Sequence, residues 1–312
     1  MEVNSLPNPK KMRNTLLFFL VFSTIAAAYA QSDKNMKHYE DFTSEFIDPR
    51  NVDILLPEDY DQNTGKHYPV LYMHDGQNLF VPGNSYGGEE WGVDETVYKL
   101  AKAGKIPEII VVGIWNTSKR YQEYMPQKVF ESLDRKTTGS LVDKFGGTPI
   151  SDNYLKFIVK ELKPFVDSTF RTKPDRANTF IMGSSMGGLI SIYAISEYPE
   201  VFRGAGCLSS HWIGNPDDGE EVMHSVSDAF VKYLNENLPD PGGHLIYFDY
   251  GTETLDSLYE PHQLKIDRVM RQKGYTRDND WVTQKFEGHE HNEKYWRERL
   301  EIPLLFLLSN GK

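Results

Sequence analysis

The chain is 312 residues long, 39% hydrophobic and 13% aromatic, enough for one large α/β domain or two small ones, which excludes a disordered chain. Its formal charge is −11; residues 1–30 hold three positive charges and Glu2, so the remainder carries about −13. An acidic surface argues against nucleic acid or an anionic membrane as partner, and the single cysteine, Cys207, excludes an internal disulfide.

Lys10, Lys11 and Arg13 precede an apolar run over residues 16–28 that ends in Ala28-Tyr29-Ala30. A basic start, an apolar core and an A-x-A end predict a secretory signal peptide over residues 1–30, with residues 31–312 as the mature domain. The run is short for a membrane span. A secreted or periplasmic location is therefore expected, with no stable membrane insertion after cleavage.

Residues 42–56 suggest an antiparallel pair at a sheet edge. Residues 70–74 read as a buried strand, followed by Asp75-Gly76. Residues 93–103 read as a helix, and 109–114 as a strand ending at Trp115-Asn116. Residues 137–151 are rich in Gly, Thr and Ser without periodicity and read as a loop, either over the site or on plain surface. Leu155, Ile158, Val159, Leu162, Phe165 and Val166 recur at helical spacing. A strand at 179–182 leads into a glycine-rich turn, and a helix at 189–198 stops before Pro199. Strands follow at 205–208, 245–250 and 281–286, a second loop at 212–221, and helices at 258–271 and 293–308. This alternation predicts the α/β class: a doubly wound, mostly parallel sheet with helices on both faces.

The turn carries the chemistry. Gly183-Ser184-Ser185-Met186-Gly187 is a G-x-S-x-G pattern between a strand and a helix, the arrangement of a nucleophile elbow. The three fixed positions alone match by chance in about one chain of this size in ten. The strand-turn-helix context, a later acid and a still later histidine give the pattern its weight.

In open α/β sheets, catalytic groups sit on loops after the carboxyl ends of strands. After the strand at 245–250 stand Glu253 and Asp256. Asp256 is the first choice for the acid that orients a base, Glu253 the second, and one of them is expected to cap the next helix. After the strand at 281–286 stand His289 and His291; His291 is preferred because it lies just before the last helix. The order Ser, acid, His is that of α/β hydrolases. Backbone donors for an oxyanion are expected at Met186, which follows the nucleophile, and at Gln77, in the loop after the first core strand. His74 and Asp75 are expected to brace that loop. Trp115, Arg120, Tyr124 and Trp212 follow strand ends and are candidates for substrate contact, with ordinary packing equally open. His289 and His291 lack an evident third ligand, and Asp217, Asp218, Glu220 and Glu221 read as a solvated acidic loop, so neither metal nor cofactor is expected.

Three segments together resemble the putative-esterase group of α/β hydrolases, which includes feruloyl, acetyl-xylan and siderophore esterases, S-formylglutathione hydrolases and mycolyltransferases. They are His74-Asp-Gly-Gln-Asn-Leu-Phe80, Gly183-Ser-Ser-Met-Gly-Gly188, and Gly288 to His291 with Trp296 five residues on. The resemblance spans roughly residues 46–308. It implies the α/β-hydrolase fold without a separate lid domain, Ser185 as nucleophile, His291 as base, and Gln77 and Met186 as oxyanion donors. The acid is where the chain departs: some relatives place the carboxylate closer to the strand end than Asp256, and some siderophore esterases lack one. The expected function is a secreted serine esterase acting on a small-molecule or polysaccharide ester. The alternatives are an acyltransferase with the same triad and a catalytically silent carbohydrate-binding protein. The acyl group, the alcohol and the oligomeric state are not legible in the sequence.

Overall fold

Alternating apolar side chains that point to opposite faces demand cover on both sides of a parallel sheet, and the computed structural model, which describes residues 35–309, provides it. Among those residues eight strands form one sheet: β1 (Met36–Phe42), β2 (Arg50–Leu55), β3 (Val70–His74), β4 (Ile110–Ile114), β5 (Thr179–Ser184), β6 (Gly204–Leu208), β7 (Leu245–Gly251) and β8 (Trp281–Phe286). Their order is β1-β2-β4-β3-β5-β6-β7-β8. β1 and β2 are antiparallel, as is β2 to β4; every other pairing is parallel. The expected signal peptide, residues 1–30, lies outside the described residues. Among the described residues no helix is long and apolar enough to cross a membrane.

The two faces can be read from single strands. Val70 and Tyr72 of β3 enter one core cluster, and Leu71 and Met73 enter the other. The first cluster lies under the helices Ser151–Phe157, Met186–Glu197, Glu220–Asn237 and Glu260–Gln272; the second lies under Val93–Lys102 and Glu301–Leu308. The helix Met186–Glu197 is buried at every position from Met186 to Ser196, as befits the central helix behind a nucleophile turn.

The main departure from expectation is at residues 137–151. A helix, Arg135–Phe145, occupies most of what reads as loop. Asp134 caps it by accepting the amides of Lys136 and Thr137 at 2.8 and 3.0 Å, and Gly146 at φ 72° ends it. Thr137, Leu141 and Phe145 make its buried stripe; the polar residues between them hide that period. Helices Arg120–Tyr124, Gln127–Glu131 and Glu220–Asn237 are further additions. The predicted helix around residues 155–166 runs as Ser151–Phe157, one π turn at Ile158–Leu162, and Lys163–Thr169. Pro164 supplies no N–H to the ladder there.

The sheet reverses its winding at β3, which has β4 on one side and β5 on the other. The crevice above the carboxyl ends at such a switch point is where α/β folds hold ligands. β3 and β5 deliver His74 and Ser184 to that edge.

Candidate active site

Ser185 turns the chain sharply between β5 and the helix Met186–Glu197, with φ 57° and ψ −120°. For a non-glycine residue this is strained backbone. The structure around it holds the strain: its N–H donates to Leu208 O at 2.9 Å, and its carbonyl accepts from Gly188 and His211 at 3.1 and 3.3 Å. Tight packing explains the flanking glycines. A Cβ on Gly183 would stand 2.9 Å from the backbone of Gly187, and one on Gly188 would stand 2.5 Å from Ser210 Oγ. Residues 179–184 and 186–195 are all buried, whereas Ser185 keeps part of its surface open.

His291 and Asp256 come from different loops and meet. Nδ1 of His291 lies 2.5 Å from Oδ1 of Asp256, with 13% of the imidazole side chain exposed and none of the carboxylate. The loop that carries His291 is tied down by its own backbone. His289 O accepts the amides of Thr252 and Glu253, each at 3.0 Å, and Thr254 Oγ1 accepts the His291 amide at 2.9 Å. Burial pushes the Asp256 carboxyl upward, but the hydrogen bond and charge of His291, then Ser209 and the Gly251 amide, outweigh it and hold the group below the ordinary carboxylate range. Glu253, the alternative acid, is exposed and heads a 3-10 turn, Thr254–Leu258.

The expected oxyanion donors stand at the starts of two helical segments. Met186 is the first residue of its helix, and Gln77 lies in the short turn Gly76–Asn78. First-turn amides have no intrahelical acceptor and point outward. Asp75, at φ 58°, begins the second turn and is held by Arg120 and Asn116. A Cβ on Gly76 would stand 2.6 Å from the backbone of Gly113, so the turn sits hard against β4.

The four candidates for substrate contact are otherwise engaged. Trp212 is fully buried and donates its indole N–H to Gln263 Oε1 at 2.9 Å, between Phe230 and Phe248. Tyr124 is fully buried against His74 and Tyr154. Trp115 donates to Asp53 Oδ2 at 2.5 Å and lies edge-on to His38, toward the sheet edge. Arg120 grips Asp75. A buried indole or phenol needs a polar partner, which Gln263 supplies to Trp212 and the Asp75 amide, at 3.3 Å, supplies to the Tyr124 hydroxyl.

Other residues complete the site. The Tyr259 hydroxyl lies 2.7 Å from His211 Nδ1, whose Nε2 lies 2.5 Å from Gly214 O. A carbonyl only accepts, so Nε2 carries the proton and Tyr259 donates to Nδ1. Burial pushes the Tyr259 phenol far up, the Asp256 charge adds to this, and the Ser185 hydroxyl beside it partly opposes. Behind Asp256 lie Ser209, Asp249 and Arg299, all buried. Arg299 is the one of these with a sequence signal. It falls three residues after Trp296 on the face that buries Leu300 and Leu304, where a charge needs a buried partner.

Residues 43–307 match the family described as "Putative esterase". Among curated proteins, a Bacillus subtilis protein designated uncharacterized protein YbbA is 26% identical over 270 residues, covering 84% of this chain and 94% of its own. An endo-1,4-beta-xylanase/feruloyl esterase of Xylanibacter ruminicola is 25% identical over 190 residues, 59% of this chain and 22% of that protein. Among solved structures, a ferulic acid esterase superposes with TM-score 0.63 at 20% identity, covering 88% of this chain and 97% of the other. The enterobactin esterase of Shigella flexneri gives 0.62 at 16% identity, over 87% and 59%. The strand order and the serine turn agree with the α/β-hydrolase fold, and the chain belongs to the putative esterase family, an enzyme family of ester-hydrolase type.

Proposed function

We propose that this chain is a secreted serine esterase with Ser185 as nucleophile, His291 as general base, Asp256 as orienting acid, and the amides of Gln77 and Met186 as oxyanion donors. The observation that carries the reading is the 2.5 Å contact of His291 Nδ1 with Asp256, which leaves Nε2 as the nitrogen available for proton transfer. The Ser185 oxygen bonds to the ester carbonyl carbon as its proton passes to Nε2. The carbonyl electrons move onto oxygen, where the two amides receive them. Collapse breaks the bond to the alkoxide, which takes the proton from Nε2. Water, deprotonated by the same nitrogen, then releases the acid and restores Ser185.

An aromatic acyl group fits the rim. Tyr121 is 42% exposed, and its ring stacks on Phe145 with centroids 5.3 Å apart and planes 4° from parallel. It follows directly on Arg120, whose guanidinium holds the Asp75 turn. An exposed, pre-oriented ring offers a face for a phenolic ring at low entropic cost. The likeness to ferulic acid esterases supports a feruloyl-type ester of a polysaccharide, and the basic-apolar start of the sequence supports secretion.

The test is hydrolysis of p-nitrophenyl acetate and methyl ferulate by the protein and by Ser185→Ala. Turnover of both esters that disappears in the variant supports the reading; equal turnover in both proteins overturns it. Product analysis with an added alcohol separates hydrolysis from acyl transfer.

A further inference from the structure

The side of Asp256 turned away from His291 is built from charges that the triad does not use. Asp256 Oδ2 accepts the Ser209 hydroxyl at 2.6 Å and the Gly251 amide at 2.6 Å. The Ser209 oxygen in turn accepts from Arg299 Nη2 at 2.7 Å and from the Trp296 indole at 3.1 Å. A hydroxyl has one donor and two acceptor positions, so these partners use all of them. The two incoming donors leave the Ser209 proton no direction but Asp256. The backbone of Ser209 is held in a left-handed conformation, φ 42°, and its amide reaches the Asp249 carbonyl at 2.9 Å and Oδ1 at 3.1 Å. Such a conformation in a non-glycine residue persists only where its surroundings enforce it.

Arg299 is the single cation here. Its Nη2 is 3.0 Å from Asp249 Oδ1 and 3.9 Å from Asp256 Oδ2, and all three side chains are 1% exposed or less. Tyr247 donates to the other Asp249 oxygen at 3.0 Å. Burial pushes the Asp249 carboxyl up, against the Arg299 charge and the Ser209 and Tyr247 hydrogen bonds. With Asp249 ionised against Arg299, the two carboxylates and one guanidinium leave a single negative charge in excess. The rings that face His291 carry no fixed charge, and the Arg120 charge that reaches Tyr259 and His211 is paired with Asp75. Tyr259 lies edge-on at 5.7 Å, Trp296 lies at 5.0 Å, and His211 is kept neutral by burial and by His291 itself. Burial and Arg299 also lower His289, on the same loop.

We propose that Ser209, Asp249 and Arg299 are positioning residues for the Asp256–His291 pair, holding beneath the imidazole one negative charge that the proton taken from Ser185 neutralises. Asp249 occupies Arg299, so the guanidinium orients Asp256 through Ser209 without cancelling its field. The inference rests on the reading of Ser185 as nucleophile and His291 as base.

The test compares Asp249→Asn and Ser209→Ala with the parent in kcat/KM against pH for p-nitrophenyl acetate. Asp249→Asn frees the Arg299 charge, which opposes an imidazolium; the acid limb should move about one unit to lower pH and the plateau kcat fall about tenfold. Ser209→Ala removes a donor from Asp256, which then favours the imidazolium more; the limb should move about half a unit to higher pH. KM should hold in both. Limbs that stay in place, or that move in the same direction, overturn the proposal. Near-UV circular dichroism checks the fold, and if Asp249→Asn does not fold, an unmoved or lowered limb in Ser209→Ala alone overturns it. The same two substitutions in a Ser185→Ala background, followed by 15N NMR of the His291 ring against pH, should show the same opposite movements without any turnover. A protein that hydrolyses no ester yet shows those movements loses the esterase reading and keeps this one; flat NMR responses overturn this one.

Discussion

Arg120 holds both carboxylate oxygens of Asp75, Nε to Oδ1 and Nη2 to Oδ2, each at 2.7 Å. Asn116 adds its side-chain amide to Oδ1 at 2.6 Å, and its backbone amide reaches Gln77 Oε1 at 3.2 Å. Two loops, after β3 and after β4, are thereby fixed to each other. Burial pushes the Asp75 carboxyl up, but the charge and hydrogen bonds of Arg120 outweigh it and hold it below the ordinary range. A guanidinium committed in this fork is not free for a substrate carboxylate.

The consequence is testable on stability and rate together. Arg120→Gln strands a nearly buried carboxylate and should cost about 3–5 kcal/mol of unfolding free energy. It should also lower kcat by about one to two orders of magnitude, because a displaced Gln77 amide no longer meets the oxyanion. Removing both charges in Asp75→Asn/Arg120→Gln should restore stability more than rate. Urea unfolding and p-nitrophenyl acetate kinetics measure both; a folded Arg120→Gln with unchanged kcat would mean the clamp does not set the donor.

Asp256 and Glu253 separate cleanly. Asp256→Asn keeps the shape but presents an amide that no longer enforces the imidazole tautomer, and kcat should drop about a thousandfold or more. Glu253→Gln touches an exposed side chain and should leave kcat near that of the parent. The reverse ranking would overturn the assignment of the acid.

Trp212, a candidate for substrate contact, is buried in the core, and Tyr121, which no sequence signal marks, is the exposed ring. Trp212→Phe removes a buried indole N–H from Gln263 and leaves that acceptor without its donor, at a cost of about 1–3 kcal/mol in stability. KM for any ester should be unaffected. Tyr121→Ala should raise KM for methyl ferulate about tenfold, equivalent to about 1.4 kcal/mol of lost ring contact, and leave p-nitrophenyl acetate unchanged. A KM effect in Trp212→Phe alone would reverse the two roles.

Which parts of this were legible in the sequence follows from how local each signal is. β3 and β8 appear at their predicted bounds because continuous or alternating apolar runs are set by neighbouring residues. The serine turn is legible for the same reason. The helix Arg135–Phe145 is not: Gly139 and three Ser or Thr residues lower its propensity, and only the Asp134 cap and the Thr137, Leu141, Phe145 spacing betray it. Ser209 and Tyr259 escape because their partners lie 47 and 48 residues away, Asp256 for one and His211 for the other. Trp212 and Tyr124 follow strand ends as a substrate-facing residue would, but no periodicity tells which way a loop side chain turns.

Acid should unfold this protein through three buried histidines before its carboxylates titrate. His74, His211 and His262 are 2%, 7% and 3% exposed. Burial lowers His74 to about 3 and both His211 and His262 to about 4 from 6.5, the charge of His291 adding to the effect at His211 and those of His224 and Lys265 at His262. His211 has a structural reason as well: its Nδ1 accepts from Tyr259, and an imidazolium has no acceptor to offer. Because the folded values lie below the unfolded one, the unfolded chain binds the extra protons. The contribution of each histidine is therefore whole above pH 6.5 and is lost as the pH falls toward 4 and 3. At pH 4 the loss is on the order of 3 kcal/mol for each, together a large part of an ordinary domain's stability. The low-lying carboxyls of Asp75 and Asp256 act in the same direction in a lower window, below their unfolded value near 3.8. Urea unfolding at pH 7, 5.5 and 4.5 should show a free energy that declines with a slope rising toward three protons. His211→Gln, which keeps a donor toward Gly214 O, should start less stable at pH 7 and decline with about one proton less. A free energy that stays flat from pH 7 to 4.5, or a slope that His211→Gln leaves unchanged, would show that these rings are not the groups that titrate on unfolding.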